Sequence, residues 1–167
     1  MTSNVEQGTR NSDSSRYDRD YYQWLLLTIQ QLQNQEYAVV DWDNLLEELE
    51  GLAKSQKREL KSRLLVLIEH LLQLKYWGKE RDYNGRGWRN TIIEQRRQIQ
   101  IVLDDSPSLQ PILADLFEQC YKMARQDTSQ KTGLDIQVFP DSPPFSLEEV
   151  LNFYYFDAHQ PESMTNY

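Results

Sequence analysis

Residues 60–74 read LKSRLLVLIEHLLQL, and this stretch decides the fold. Its leucines at positions 60, 64, 67, 71 and 74 follow the three- and four-residue spacing that places side chains on one face of an α-helix. Leu65, Ile68 and Leu72 lie beside that line and widen the apolar stripe. A stripe of this width predicts a central helix, from about Ser55 to Tyr76, that contacts neighbours on two sides.

Helix-capping residues predict where the other helices begin. Asp18 or Asp20 precedes an apolar line that runs to Leu32, and Asp41 precedes a second line that begins at Trp42. Ser106 followed by Pro107 is a favoured start for a long helix, which Gly133 ends at the latest. Ser146 can cap a last short turn over residues 147–151.

Glycines predict two interruptions in the helices. Gly51 indicates a break or kink, because glycine within a helix costs about 1 kcal/mol relative to alanine. The paired glycines in Tyr83–Gly87 predict a loop, with the next helix beginning at Trp88.

Taken together, these segments predict an all-α protein: a helical bundle of four to five long helices. A short C-terminal extended and helical segment packs on the bundle through the aromatic run Phe153–Phe156. We expect a single domain over residues 17–157. Polar residues dominate the flanking segments, and we expect residues 1–16 to be a disordered tail and residues 158–167 a flexible one.

Charge and cysteine content restrict the environment of the chain and its partners. A net charge of −8 and a pI near 4.8 argue against general attraction to nucleic acid or to anionic membranes. The single cysteine, Cys120, allows no internal disulfide and suits a reducing compartment. The apolar run Leu64–Ile68 is far shorter than the roughly 20 residues of a membrane span, and no signal-peptide pattern opens the chain. We therefore expect a cytoplasmic protein.

An ordered series of short phrases runs through the chain. It comprises Tyr17-Asp18-x-Asp20 before Trp24, Asp41-x-x-Asn44-Leu45-x-Glu47-Glu48, Ser62-x-Leu64 before His70-Leu71-Leu72, Trp88-x-x-Thr91-Ile92, Asp105-Ser106-Pro107-Ser108-Leu109, Thr132-Gly133-Leu134 and Phe139-Pro140. In this order the phrases resemble a bacterial family, domain of unknown function twenty-nine, over roughly residues 17–156. The resemblance implies an all-helical domain and brings no established activity.

Arg63 and His70 are the candidate catalytic pair, two helical turns apart on nearly the same line. The spacing is similar to the motif of the HEPN group of helical ribonucleases, which include toxins. That similarity implies that His70 acts on a ribose hydroxyl and that Arg63 stabilises charge on the phosphate. The polar residue usually found after the Arg is here Leu64. The structural alternative pairs Arg63 with Glu59 and places His70 at the edge of the bundle, bonded to a neighbouring carboxylate, and we favour it.

Candidate binding residues come from a polar interruption in the apolar face of the helix predicted to begin at Trp88. The line from Ile92 to Ile99 places Gln95 or Arg96 inside the apolar stripe, and a buried charge needs a partner. We expect Glu48, His70, Gln95 and Arg96 to form a polar cluster between helices. The role that we favour for this cluster is to fix the register of the helices. The alternative is that it forms a functional site. Trp88 is expected to be a core or interface anchor, as are the tryptophans at positions 24 and 42.

The chain has two basic stretches that contain arginines, residues 54–63 and residues 81–97. In the second stretch, aromatic side chains lie among the arginines. That combination suits RNA, but the overall acidity favours a solvated face complementary to the acidic residues 41–50, within the fold or across a dimer. No metal site is expected, because residue 67, three before His70, is Leu where a di-metal bundle needs Glu. Glu69 is expected to face solvent, and no cofactor is indicated.

These patterns favour an interaction module that binds a protein partner or itself. The alternative is a HEPN-like toxin ribonuclease or RNA-binding protein that uses Arg63 and His70, so the question of enzymatic activity stays open.

Overall fold

The computed structural model describes residues 16–156, which contain helices and no strand. The α-helices are α1 (Tyr21–Gln33), α2 (Trp42–Tyr76), α3 (Gly78–Asp105), α4 (Gln110–Thr132) and α5 (Leu147–Leu151). Single 3-10 turns occupy Tyr37–Val39, Pro107–Leu109 and Ile136–Val138. Four long helices and one short C-terminal helix confirm the all-α bundle. Apart from Arg16, the predicted tails lie outside the described residues.

The described residues form two compact units, residues 16–54 and residues 55–156, and the boundary falls within α2. The single domain expected over residues 17–157 stays a prediction. Within residues 16–156, no helix is both long and apolar enough to span a membrane.

The first unit is a helical hairpin built around Trp24. The Asp20 side chain accepts a hydrogen bond from the backbone N–H of Gln23, which confirms the predicted start of α1. Trp24 is 1% exposed and its indole N–H donates to the Asp41 carboxylate at 3.3 Å. Asp41 therefore links the start of α2 to the centre of α1.

The predicted interruption at Gly51 is wrong, because α2 continues from Trp42 through Tyr76. The cost of one glycine, about 1 kcal/mol, is small beside the good helix formers that flank it. Nothing lies within 4 Å of a Cβ placed at Gly51, so no packing requirement explains the glycine.

The predicted loop over Tyr83–Gly87 is also wrong, because α3 begins at Gly78 and passes through both glycines. Packing overrides the weak helix propensity here. Gly85 is buried, with a Leu74 methyl carbon 3.9 Å from where its Cβ would lie. The Trp88 ring stacks on that of Trp77 with centroids 5.5 Å apart and planes 16° apart.

The core of the second unit centres on the leucine stripe of α2. Leu60, Leu64, Leu67 and Leu71 are all fully buried, as the spacing of the stretch predicts. Buried side chains of α3, α4 and the C-terminal segment pack in the same cluster: Trp88, Ile92, Ile99, Leu113, Cys120, Tyr121, Phe139, Phe145 and Val150. The C-terminal segment thus packs on the bundle as expected. Of the predicted aromatic run, however, only Tyr155 and Phe156 pack against the core, and Phe153 and Tyr154 are exposed.

The ends of α4 and α5 follow the sequence signals in three of four cases. Gly133 ends α4 with a left-handed φ of 71°, and Ser146 caps α5 in a reciprocal capping box with Glu149. The end of α5 at Leu151 also matches the prediction. Ser106 differs, because its side chain makes no capping hydrogen bond and a 3-10 turn precedes α4.

Candidate functional site

The second unit contains a cleft of about 230 Å³ between α3 and the C-terminal end of the described chain. The side chains that line it are Arg86, Arg89, Asn90, Ile92, Ile93, Arg96, Phe153 and Phe156. The α3 residues follow a spacing of three and four, so they share one side of that helix. Of the described residues that line the cleft, none carries a carboxylate.

Arg96 forms the buried floor of the cleft and is 2% exposed. Its Nε donates to the carbonyl oxygen of Val150 at 2.7 Å, and its two terminal nitrogens donate to those of Tyr155 at 3.0 Å and Glu149 at 3.4 Å. The last carbonyls of a helix lack intrahelical donors, so a guanidinium is a suitable partner for the end of α5. Arg96 therefore holds in place the C-terminal turn that carries Phe153 and Phe156.

Arg89 lies two turns before Arg96 and has an unused donor. Within the described residues its Nε is buried and has no hydrogen-bond acceptor. A Cβ placed at Gly85 would lie 3.4 Å from Nη1 of Arg89, which puts the guanidinium over that glycine. A buried unpaired N–H is costly, so Arg89 keeps its position beside the cleft at an energetic cost.

The aromatic wall of the cleft ends at Phe156, whose φ is 63°. A positive φ is uncommon for a bulky residue and is held only where the surrounding contacts fix it. The adjacent Tyr155 carbonyl accepts from Arg96, and the rings of Tyr155 and Phe156 meet edge to face at 4.5 Å. These contacts fix the position of the Phe156 ring.

The candidate binding residues of the sequence analysis occupy different environments. Arg96 is buried and reaches the cleft, whereas Trp88 lies in the core against Trp77. Gln95 is half-buried on α3 and does not line the cleft. The structure therefore brings only Arg96 of these residues to the cleft. Arg86, Arg89 and the two phenylalanines were not predicted as partners in one site, because nothing in the sequence links residues so far apart.

Glu48 is a structural centre of the first unit. Its two carboxylate oxygens accept from the phenol groups of Tyr17 at 2.6 Å and Tyr21 at 2.9 Å. The hydrogen bond to the Glu48 carboxylate is the main reason that the pKa of Tyr17 is raised to about 12, and it also raises the pKa of Tyr21. The carboxylate thus ties α1, and the turn before it, to α2.

Arg63 makes the contact of the structural alternative, whereas His70 has a backbone carbonyl in place of the expected carboxylate. Two guanidinium nitrogens of Arg63 donate to Glu59 at 2.7 and 3.0 Å, one turn earlier on α2. Nδ1 of His70 lies 2.8 Å from the Val66 carbonyl oxygen, also one turn earlier, a distance that suits donation by an Nδ1–H tautomer. These contacts give each side chain a local partner and give the ribonuclease alternative no added support.

Glu69 does not face solvent, contrary to the prediction. It is 4% exposed, and its carboxylate binds the Lys131 ammonium of α4 at 2.6 Å. Position 69 lies outside the leucine stripe but faces α4, which explains the burial. Among residues 16–156, no group of three His, Cys, Asp or Glu side chains is arranged to hold a metal ion.

The first unit carries a second feature, an exposed apolar surface that we call the hairpin face. It consists of Trp42, Leu46, Leu49 and Leu52 of α2. The first three members are spaced by four and then three residues, so they share one side of that helix. The three leucines of α2 are 53–63% exposed. The sequence predicted this stripe on α2 but did not show that it stays uncovered.

Comparisons with known proteins identify the family and extend no further. No curated protein and no solved structure matches the chain. The family model Domain of unknown function DUF29 matches residues 16–156, the same range that the structure describes. Because the match covers most of the chain and agrees with the ordered phrases of the sequence, the chain belongs to the DUF29 family.

Proposed function

We propose that this protein is an interaction module whose hairpin face binds a basic amphipathic helix of another protein. The observation that carries the proposal is the exposure of Leu46, Leu49 and Leu52 along about two turns of α2. Single exposed apolar residues are ordinary, but contiguous apolar surface on a globular protein marks a site of interaction.

The spacing of the hairpin face fits a helical partner. Apolar side chains at i, i+4 and i+7 are the arrangement by which one amphipathic helix packs against another. Trp42, Leu46 and Leu49 follow that spacing on α2. The hairpin face therefore offers the apolar face of a partner helix one line of side chains with which to pack.

The net negative charge of the first unit favours a basic partner. Residues 16–54 contain three basic and eight acidic side chains, a net charge of −5. Residues 55–156 contain fourteen of each and are neutral overall. An acidic surround favours a partner with Lys or Arg beside its apolar face, and it disfavours the same acidic face of a second copy.

The hairpin is preorganised to present this face. The hydrogen bonds from Tyr17 and Tyr21 to Glu48, and that from Trp24 to Asp41, join α1 to α2. A surface already fixed in its binding geometry loses less conformational entropy when a partner docks. These polar contacts leave the apolar side chains of the face uninvolved.

Two synthetic peptides test the proposal: an amphipathic helix of Leu and Lys, and the same helix with Glu in place of Lys. We expect the Lys peptide to bind more tightly, and we expect Leu46→Ser with Leu49→Ser to weaken it by about tenfold or more. Ile101→Ser is the matched control, since Ile101 is a comparably exposed apolar residue of α3. Trp42 lies on the hairpin face, so its fluorescence reports binding.

Three outcomes would contradict the proposal. The peptides could bind equally, the control could weaken binding as much as the double variant, or neither peptide could bind. Light scattering adds a fourth: a dimer of the 19.9 kDa chain that the double variant dissociates would identify a second copy as the occupant.

A further inference from the structure

We propose that the cleft of the second unit binds a small aromatic anion, a single ring that carries a carboxylate or phosphate group. The inference concerns residues 86–156 alone and does not depend on the hairpin face. The charge, the apolar wall and the volume of the cleft support it.

The positive charge of the cleft favours an anionic ligand. Arg86 and Arg89 contribute two guanidinium groups from neighbouring turns of α3, and Asn90 adds an amide. Guanidinium groups bind carboxylates and phosphates through paired, charge-assisted hydrogen bonds. None of the described residues that line the cleft carries a carboxylate that would neutralise these guanidinium groups.

The phenylalanine side chains that line the cleft favour a ligand with a flat apolar group. Phe153 and Phe156 line the cleft, and Ile93 continues the apolar surface on α3. Phenylalanine rings pack favourably with other aromatic rings, stacked with an offset or edge to face. Arg96 donates to the carbonyl oxygens of Val150 and Tyr155 and so fixes the turn that carries the two phenylalanines. Their rings are therefore held in place before a ligand binds.

The volume limits the size of the ligand. A cavity of about 150 Å³ can hold benzene, so about 230 Å³ accommodates one ring with an attached anionic group. Drug-sized ligands occupy pockets of about 300 Å³ or more, so a larger molecule would extend into solvent. A one-ring acid therefore matches the cleft in size as well as in charge.

Titration of the full-length protein with four compounds tests the inference: benzoate, phenyl phosphate, inorganic phosphate and benzylamine. Calorimetry gives the affinity, and the NMR signal of the Arg89 Nε–H group gives the location. We expect benzoate or phenyl phosphate to shift that signal, and we expect inorganic phosphate to bind about tenfold more weakly than the better of the two. Benzylamine should not bind, and added salt should weaken the anions.

Variants connect the binding to the named side chains. Arg89→Met should weaken the better anion by about tenfold or more, because the guanidinium is lost while most of the side-chain length remains. Phe153→Leu should weaken it several-fold, and this residue is exposed enough that the fold should tolerate the change. Arg97→Met is the matched control, since Arg97 pairs with Glu94 on the same helix and does not line the cleft.

The inference is overturned by any of three results. These are no shift of the Arg89 signal by either aromatic anion up to about 1 mM, equal binding of benzylamine, or equal effects of Arg89→Met and Arg97→Met. Melting temperatures of the variants identify a loss of binding that follows from unfolding. If Arg89→Met unfolds, the result for Phe153→Leu decides: unchanged affinity in that variant also overturns the inference.

Discussion

Nε of Arg96 donates to the carbonyl oxygen of Val150 at 2.7 Å, and this bond connects α3 to the last turn of α5 across 54 residues of sequence. The guanidinium is buried, and two more carbonyl oxygens accept from it. The Arg96 side chain therefore binds three carbonyl oxygens where the chain leaves α5, and it sets the position of the aromatic wall.

Arg96→Met should lower the free energy of unfolding of the second unit by about 3 kcal/mol, because the carbonyls of Val150 and Tyr155 lose their donor, whereas that of Glu149 keeps the N–H of Asn152. Arg96→Lys should recover only part of this, since one ammonium cannot reproduce the planar fork of a guanidinium. Urea unfolding measures both. The exposed Arg97→Met should change stability by less than about 0.5 kcal/mol, and equal losses for the two arginines would contradict the role given to Arg96.

Two glycines should respond to alanine in opposite directions. Gly133 has a φ of 71°, so Gly133→Ala should cost about 1 kcal/mol through left-handed strain. Gly51 lies mid-helix with nothing near its missing Cβ, so Gly51→Ala should stabilise α2 by about 0.5–1 kcal/mol. Thermal unfolding monitored by circular dichroism gives both shifts. A destabilising Gly51→Ala would show that the backbone at residue 51 is not helical.

The phenol groups of Tyr17 and Tyr21, which donate to Glu48, should ionise at a higher pH than an ordinary tyrosine. The pKa of Tyr17 is raised to about 12 by the hydrogen bond to Glu48, so its contribution to stability is complete below pH 10 and is lost between about pH 10 and 12. Glu48→Gln removes the negative charge and should move the ionisation of Tyr17 and Tyr21 to lower pH. Tyrosinate absorbance measured against pH shows this. Glu50→Gln, which removes an exposed partner of Lys54, should leave the curve unchanged.

The ion pair between Glu69 and Lys131 should be costly to break from one side. Lys131→Met leaves a buried carboxylate without its cation, and we expect a loss of about 2 kcal/mol, reduced from the value for a fully buried pair because Lys131 is itself half exposed. In a Glu69→Leu background the same change should cost less than about 0.5 kcal/mol. A double-mutant cycle in urea measures the coupling. Equal losses in both backgrounds would mean that the pair is not formed.

Local sequence signals predicted the helix ends best. Asp20, Gly133 and Ser146 each act through the backbone of their own helix, so the information lies within a few residues. The glycine signals at positions 51 and 85–87 were misleading for the same reason. Helix propensity is a weak local term, and at Gly85 it yields to packing against Leu74 of α2, which no nearby residue indicates.

The site was harder to predict because its parts come from distant segments. The interruption of an apolar stripe correctly indicated that Arg96 is buried. Its carbonyl acceptors belong to a segment more than 50 residues later, and backbone acceptors leave no trace in side-chain identity. The leucines at positions 46 and 49 formed a clear stripe, but periodicity shows only that a face is apolar. Whether that face is covered depends on the whole fold.

The most direct test of the interaction proposal is photo-crosslinking in the producing cells, with benzoylphenylalanine in place of Leu49 and, as the control, in place of Ile101. Mass spectrometry of the adduct identifies the attached segment. The account predicts a discrete adduct from position 49 and none from position 101, with the attached segment a basic amphipathic helix of another protein. No adduct from position 49, the same adducts from both positions, or attachment to a second copy of this chain would contradict it.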